Sequence, residues 1–366
     1  MQKTIYCAVT NDLNYDQRMI RICTSLSRAG YGVVLVGRKE PSSLPLERQP
    51  FQQRRLRLLF RKGKLFYLEY NLRLLLYLLF HRMDCICAID LDTIIPCFWA
   101  ARLKRIPGIY DAHELFCEMK EVVSRPSVYK AWKWVERTFV PSFPHGYTVN
   151  EAIAAEFNRM YNVHYEVIRN TPLLRPAPAP GNVLPSHRFI LYQGAVNEGR
   201  CFEALIPAMR QVDARLIICG KGNFMEQARR LVRDHALGEK VIFKGPLRPE
   251  ELRGLTQTAW CGITLFENKG LSNYFSLANR FFDYMHAGIP QLAMNYPAYK
   301  EINNLYPIAV LIDNPDIRQI AEALNSLLNN MDLYKTLQLN CRKAAEHFNW
   351  QEEEKKLISL YQKILN

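Results

Sequence analysis

The chain has 366 residues, enough for two domains with separate cores, and its 49% hydrophobic and 23% charged composition excludes a wholly disordered polypeptide. Its net charge of +13 is uneven, with 25 Lys+Arg against 16 Asp+Glu in residues 1–170 and 23 against 19 in the rest. The longest apolar run, Leu72–Phe80, contains Arg73 and is well short of the ~20 residues that span a bilayer, so no transmembrane helix is expected. Met1-Gln-Lys leads straight into a strand-like run, with no leader of signal-peptide length, and none of the ten cysteines forms a Cys-x-x-Cys pair. The expectation is a cytoplasmic chain with buried free thiols, without a metal.

Strand-like and helix-like segments alternate throughout, which predicts α/β layers with mostly parallel sheets. In the first half the strands are expected at Thr4–Thr10, Val33–Val36, Cys85–Ile89, Gly108–Ala112, Gly146–Val149 and Tyr165–Ile168. Asn11-Asp-Leu-Asn-Tyr-Asp-Gln-Arg18 follows the first strand and opens a helix over Gln17–Ala29. Two readings stand there: backbone N–H groups facing an anion, or an Asx-rich turn with Asp16 as helix N-cap. A Gly-x-Gly-x-x-Gly is absent at this place, which argues against a dinucleotide dehydrogenase.

The tract from Phe51 to Arg82 interleaves cations with Leu, Phe and Tyr, as in Arg54-Arg-Leu-Arg57 and Arg61-Lys-Gly-Lys64. Such a basic amphipathic stretch suits an anionic membrane surface, or it is a solvated face over a partly buried Leu stripe. No recognition motif accompanies the charge, so nucleic acid is not an expected partner. Asp111-Ala-His-Glu114 ends an apolar strand, where parallel sheets place catalytic groups. His113 can donate a hydrogen bond to a hydroxyl, and Glu114 can orient it or another group.

Pro172-Leu-Leu-Arg-Pro-Ala-Pro-Ala-Pro-Gly181 favours extended backbone and marks the domain boundary. Strands are then expected at Phe189–Gly194, Leu216–Gly220, Val241–Gly245, Gly262–Phe266 and Gln291–Met294. Gln193-Gly-Ala-Val-Asn-Glu-Gly-Arg200 ends the first of these; Gly194 and Gly199 let backbone approach a phosphate, and Arg200 can neutralise it with a forked contact. Gly220-Lys221-Gly222 closes the next strand in a similar way. Ser276–Pro290 reads as a ligand-facing helix, then Gly288 and a strand. Asn279 and Asp283, four apart, share one face of it. A final helix over Trp350–Asn366 carries the apolar stripe Leu357, Ile358, Leu360, Tyr361 and Ile364.

With these motifs in order, nearly the whole chain resembles the glycosyltransferases of family 4, retaining enzymes of GT-B fold that use nucleotide sugars. The resemblance rests on Asn11–Arg18, Tyr110-Asp-Ala-His-Glu114, Val167-Ile-Arg-Asn170, Tyr192-Gln-Gly194 with Gly199-Arg200, and Ser276–Pro290. It implies two Rossmann-like domains facing across a cleft: residues 1–172 for the acceptor, a linker over 173–186, residues 187–345 for the donor, and a helix over 346–366 returning to the first domain. By this resemblance Asp283 binds the donor ribose, Arg200 the diphosphate, and His113 the donor sugar. Catalytic roles fall to His113, Glu114 and Arg200. Donor contacts fall to Asn14, Gly194, Arg200, Gly220, Lys221, Asn273, Tyr274, Ser276, Asn279 and Asp283, and acceptor contacts to Arg18 and Asp111.

Three positions depart from the family pattern. Phe275 occupies the place of the first acid of its Glu-x7-Glu motif, so Asn273, Tyr274 or Ser276 takes over sugar recognition. Ala195 replaces a second phosphate-binding Arg, and Cys201 stands where Gly often follows the basic residue. The implied activity is metal-independent hexosyl transfer without a cofactor, from a UDP- or GDP-linked sugar to a glycan or lipid-linked acceptor in surface polysaccharide synthesis. The protein would work in the cytoplasm, peripheral on the inner face of the membrane through residues 51–82. The alternative is a non-catalytic GT-B protein that binds a partner at the membrane surface.

Overall fold

Short apolar runs ending at Gly, Asp or Asn form parallel strands in the computed structural model, which describes residues 2–14, 16–41, 43–175 and 188–366. The chain divides into two units, Met1–Asn170 with Glu353–Asn366, and Thr171–Glu352. Of the expected linker over 173–186, residues 176–186 lie outside the described residues.

The first unit contains β1 (Thr4–Ala8), β2 (Gly32–Arg38), β3 (Gln52–Leu56), β4 (Cys85–Ile89), β5 (Gly108–Ala112), β6 (His145–Thr148) and β7 (Glu166–Val167). They lie in the order β3-β2-β1-β4-β5-β6-β7, every neighbouring pair parallel. All of Cys-Ile-Cys-Ala-Ile in β4 is buried, as expected for a strand covered on both faces, which is why such strands read as unbroken apolar runs. The final helix, Trp350–Leu365, buries Leu357 and Tyr361, and its residues from Glu353 onward belong to this unit. Ser25 Oγ donates to Glu354 at 2.6 Å and the Arg169 N–H to Glu353 at 3.0 Å.

The second unit holds β8 (Phe189–Gln193), β9 (Arg215–Cys219), β10 (Val241–Phe243), β11 (Cys261–Thr264), β12 (Gln291–Met294) and β13 (Ala309–Ile312), ordered β10-β9-β8-β11-β12-β13 and all parallel. In each sheet the order reverses once, between β1 and β4 and between β8 and β11. The carboxyl ends of those strand pairs are where doubly wound sheets bind ligands. Helix Asn279–Ala287 is drawn onto the second sheet at Gly262, where an added Cβ would lie 2.3 Å from the Tyr284 ring. Tyr284 then donates its hydroxyl to Leu191 O at 2.9 Å and accepts the Gln193 N–H at 3.2 Å, fixing the helix against the end of β8.

Two strands of the structure, β3 and β13, are not among the expected elements. Both are edge strands. β3 is Gln-Gln-Arg-Arg-Leu, a polar sequence that an edge tolerates and that carries no strand-like apolar signal. The basic tract is therefore not one amphipathic stretch but a strand followed by the helix Gly63–Phe80. That helix buries Phe66, Tyr70, Leu74 and Leu78, while Leu65, Leu68, Leu72 and Leu76, on the opposite face by helical spacing, are exposed. Among the described residues, no helix is long and apolar enough to cross a membrane. All ten cysteines are unpaired and buried.

Candidate functional site

Beside the switch point of the second sheet, the exits of β8 and β9 are pressed together so closely that only glycine fits. Gly194 leaves β8 with φ +121° and Gly220 leaves β9 with φ +150°, a region that L side chains rarely adopt. A Cβ on Gly220 would fall 1.8 Å from Gly194 O. The two loops then hydrogen-bond: Val196 N–H to Lys221 O at 3.0 Å, Phe224 N–H to Val196 O at 2.9 Å, and Asn223 N–H to the Asn197 side chain at 3.1 Å. Lys221 is exposed and holds this pairing through its backbone carbonyl. Cys201 is buried at φ +59°, which accounts for a preference for glycine there.

Arg200, on this loop, lies 4.3 Å from the centre of the Phe266 ring beyond β11 and donates through Nη1 to Asn273 Oδ1 at 3.2 Å. Asn273 O in turn accepts Ser276 Oγ at 2.8 Å, and Ser276 approaches the Tyr299 hydroxyl at 3.3 Å. Tyr274 ends the short helix Leu271–Tyr274, its ring against Phe275 and Tyr296. Asp283 accepts Gln193 Nε2 at 2.9 Å, and Gln193 Oε1 accepts Thr256 Oγ1 at 2.8 Å. The carboxylate is thereby tied to the end of β8. Asn279, the first residue of its helix, is exposed. Arg200, Gly194, Gly220, Lys221, Asn273, Tyr274, Ser276, Asn279 and Asp283 thus lie on the loops and helices around one sheet edge of the second unit. Asn14 belongs to the first unit, where its side chain donates to Pro45 O at 2.8 Å and accepts the Glu47 N–H at 3.4 Å.

The first unit gathers a charged cluster at the ends of β1, β4 and β5. Arg18, on a helix whose N-cap is Asp16 as one sequence reading expects, donates through Nη2 to Asp111 Oδ1 at 2.9 Å and through Nη1 to Ile168 O at 3.2 Å. The pair is buried, with 4% and 0% side-chain exposure, so neither partner presents a free face to an acceptor. His113 lies between two carboxylates: Nε2 is 3.2 Å from Asp111 Oδ2 and Nδ1 is 3.1 Å from Asp90 Oδ2. Both ring nitrogens are therefore engaged, so donation to a hydroxyl requires exchange of one of these bonds. Glu114 is half-buried in the turn after β5; the orientation of His113 comes from Asp90 and Asp111.

These contacts decide the charge states. Burial opposes a charge on His113, but the Asp90 and Asp111 carboxylates outweigh it and hold the imidazolium well above its ordinary range. Burial likewise opposes the Asp111 carboxylate, yet Arg18 and then His113 bring it down to about 2. Asp92 goes the other way: burial, then the neighbouring Asp90, raise it to about 7, against a 2.5 Å hydrogen bond from Thr10. Sequence reading missed Asp90 and Asp92. Their signal was Asp-Leu-Asp directly after the apolar run Cys85–Ile89, at the switch between β1 and β4. Asp90 also sits at φ +57°, a strained conformation for a residue with a Cβ. Among the described residues, no group of three His, Cys, Asp or Glu side chains is arranged to hold a metal ion.

Two family models match the chain. "Glycosyltransferase Family 4" matches residues 17–171, and "Glycosyl transferases group 1" matches residues 182–347. No curated protein matches by sequence. Among solved structures, the chain is similar to sucrose-phosphate synthase from Thermosynechococcus elongatus, with a TM-score of 0.80, 18% identity and 99% of both chains covered. It is similar to HepE from Anabaena, solved in complex with UDP-glucose, with a TM-score of 0.79 and 12% identity over 98% of this chain and 99% of that one. WaaG, a glycosyltransferase involved in lipopolysaccharide biosynthesis, matches with a TM-score of 0.72 and 14% identity over 98% and 99% of the two chains. The two parallel-sheet units have the GT-B fold.

Proposed function

Because the chain belongs to glycosyltransferase family 4, we propose that it is a retaining enzyme moving a sugar from a nucleoside diphosphate to a hydroxyl of a glycan or lipid-linked acceptor. The observation that carries this reading is the end of the second unit's sheet at β8, where the glycine-only exits of β8 and β9 lie on the loops around Arg200 and Asp283 is tied to the end of β8. UDP-glucose bound to HepE and the lipopolysaccharide role of WaaG support a nucleotide-sugar donor and a surface-glycan acceptor.

In this mechanism the bond from the anomeric carbon to the diphosphate oxygen breaks, and negative charge grows on the departing phosphate. Arg200, held by Phe266 and Asn273, would meet that charge without reorganising, as electrostatic catalysis requires. No protein nucleophile is invoked. The leaving phosphate helps remove the acceptor hydroxyl's proton while attack occurs on the same face. Asp283 would hold the ribose hydroxyls, and Asn273, Tyr274 and Ser276 the sugar in place of the absent acid at Phe275. Arg18 and Asp111 would act through His113, as positioning residues for the acceptor side, and the His113 imidazolium would supply a fixed positive charge. The reaction as proposed is hexosyl transfer and draws on no metal or cofactor.

The exposed leucine face of the helix Gly63–Phe80 supports a site of action at an anionic bilayer surface. Leu68 and Leu72 are 67% and 56% exposed, and Arg57, Arg61, Lys62, Lys64 and Arg73 are exposed on the same helix or the loop before it. Glu69 accepts the backbone N–H groups of Leu59 and Phe60, at 2.9 and 2.8 Å, and so folds that loop, with Leu59 and Phe60 exposed, onto the helix. Apolar area flanked by cations is the pattern that binds anionic lipid interfaces.

Thermal-shift screening against UDP-, GDP- and other sugar nucleotides, followed by transfer assays with the stabilising donors, tests the reading; a donor that binds the folded state raises the melting temperature. Turnover with any of them supports the enzyme. Phe275 in place of an acid motivates the second reading, a non-catalytic binding protein at the membrane, and nucleotide binding with no turnover on any acceptor would favour it.

A further inference from the structure

Between Asn279 and Asp283 on the donor-site helix stands a cation that no sequence motif singled out. Arg280 is only 8% exposed, and its one hydrogen-bonding nitrogen, Nη1, donates to the Tyr192 hydroxyl at 3.2 Å and to Gln193 O at 3.3 Å. Nε and Nη2 are buried and have no hydrogen-bond partner. No carboxylate pairs with the guanidinium among the described contacts. Its carbon lies 4.7 Å from the centres of both the Tyr192 and Phe266 rings. An unpaired buried cation is costly, because burial removes its hydration and two aromatic rings and two neutral acceptors replace only part of it.

The geometry around it points to what completes it. Phe266, just after β11, is also the ring over which Arg200 sits, so two guanidiniums lie against one aromatic ring. Gly194 lies beside them: a Cβ there would come within 3.1 Å of Arg280 Nη1, crowding the approach to the guanidinium. The neighbouring position Ala195 carries no charge.

We propose that Arg280 is a second diphosphate-binding cation of this site: its unpaired Nε–H and Nη2–H groups are closed to solvent, and diphosphate binding turns the guanidinium so that they donate to phosphate oxygens next to those held by Arg200. This rests on the nucleotide-sugar reading and places a second positive charge, from the helix, beside that of Arg200. A guanidinium suits the task because its planar fork gives two parallel charge-assisted donors and keeps its charge when buried. The same contact would offset the cost of burying Arg280.

Calorimetric titration of the full-length protein with UDP, GDP and inorganic pyrophosphate tests the assignment in wild type, Arg280→Gln and Arg280→Lys, with Arg200→Gln as reference. Arg280→Gln is expected to weaken binding of the preferred nucleoside diphosphate about tenfold or more, the scale of a lost charge-assisted contact, and Arg280→Lys by less. Without ligand, the melting temperature of Arg280→Gln should equal or exceed that of wild type, since an unpaired buried charge has been removed. Folded Arg280 variants that bind as tightly as wild type, while Arg200→Gln binds weakly, would overturn the role of Arg280 and leave the donor site standing. Binding of none of the three probes by wild type would overturn both.

Discussion

Asp90 is the residue through which the charged cluster of the first unit can be interrogated without touching a substrate. It holds His113 at both the backbone N–H and Nδ1, each at 3.1 Å, and it does so from a strained φ of +57°. Asp90→Asn removes one of the two carboxylates that keep the ring charged, so the His113 pKa is expected to fall towards its ordinary range, as read by NMR titration of the imidazole. A pKa that does not move would mean that Asp111 alone sets the charge. The linkage has a definite sign. The His113 pKa is raised on folding, so its stabilising contribution is full below about pH 6.5 and is lost as pH rises through the folded value. Asp111, lowered to about 2, contributes above about pH 4 and loses that contribution only as pH falls towards 2. The denaturation midpoint of His113→Gln should therefore lie furthest below wild type between about pH 4 and 6.5, and the gap should narrow on the alkaline side. For the chemistry, Arg200→Ala is expected to keep the fold and lower turnover by about 10²–10³-fold, the range seen when a preorganised donor to a developing anion is removed; unchanged kinetics would take Arg200 out of the site.

At the scale of elements, the helix Gly63–Phe80 separates packing from display. Leu74 is fully buried and Leu72 is mostly exposed, two positions apart in one helix. Leu74→Ala should cost about 2–5 kcal/mol by chemical denaturation, whereas Leu72→Ala should stay within about 0.5 kcal/mol. Equal losses would mean that the outer face is covered in the protein as purified. The same helix shows what a sequence reading reaches. Strands β4, β5 and β12 were legible to the residue because central parallel strands are apolar on both faces, and they located His113 at the exit of β5 and the Gly288 helix stop before β12. β3 was not, because an edge strand tolerates Arg54 and Arg55 and so imitates a solvated basic tract. Burial of Arg280 was invisible for a related reason: a cation next to Asn279 reads as solvated, and only the fold shows that Tyr192 and Phe266 cover it. Asp90 was lost because an Asp after a strand resembles any turn, whereas its role comes from a strand order that brings β4 beside β5.

For the molecule as a whole, the uneven charge and the uncovered leucines lie in the same half of the chain, and together they make a quantitative demand. Residues 1–170 carry 25 basic against 16 acidic side chains, which gives attraction to an anionic interface but no anchoring depth. Leu65, Leu68, Leu72 and Leu76 give apolar area, which without charge has no preference for anionic over neutral lipid. If both act, their contributions separate in one experiment. Sedimentation with vesicles of phosphatidylcholine alone, or containing phosphatidylglycerol, should show binding that requires the anionic lipid and weakens with salt, since exposed charges are screened over about 8–10 Å at moderate ionic strength. Lys62→Glu with Lys64→Glu should abolish the preference for anionic lipid. Leu68→Ser with Leu72→Ser should weaken binding even at low salt, where the charges act at full strength. Both pairs should leave donor turnover on a soluble acceptor unchanged, because neither touches Arg200 or Asp283. Binding that survives both pairs would remove this helix as the contact, and a concentration-dependent dimer lost on Leu68→Ser with Leu72→Ser would assign the leucine face to a second copy of the chain.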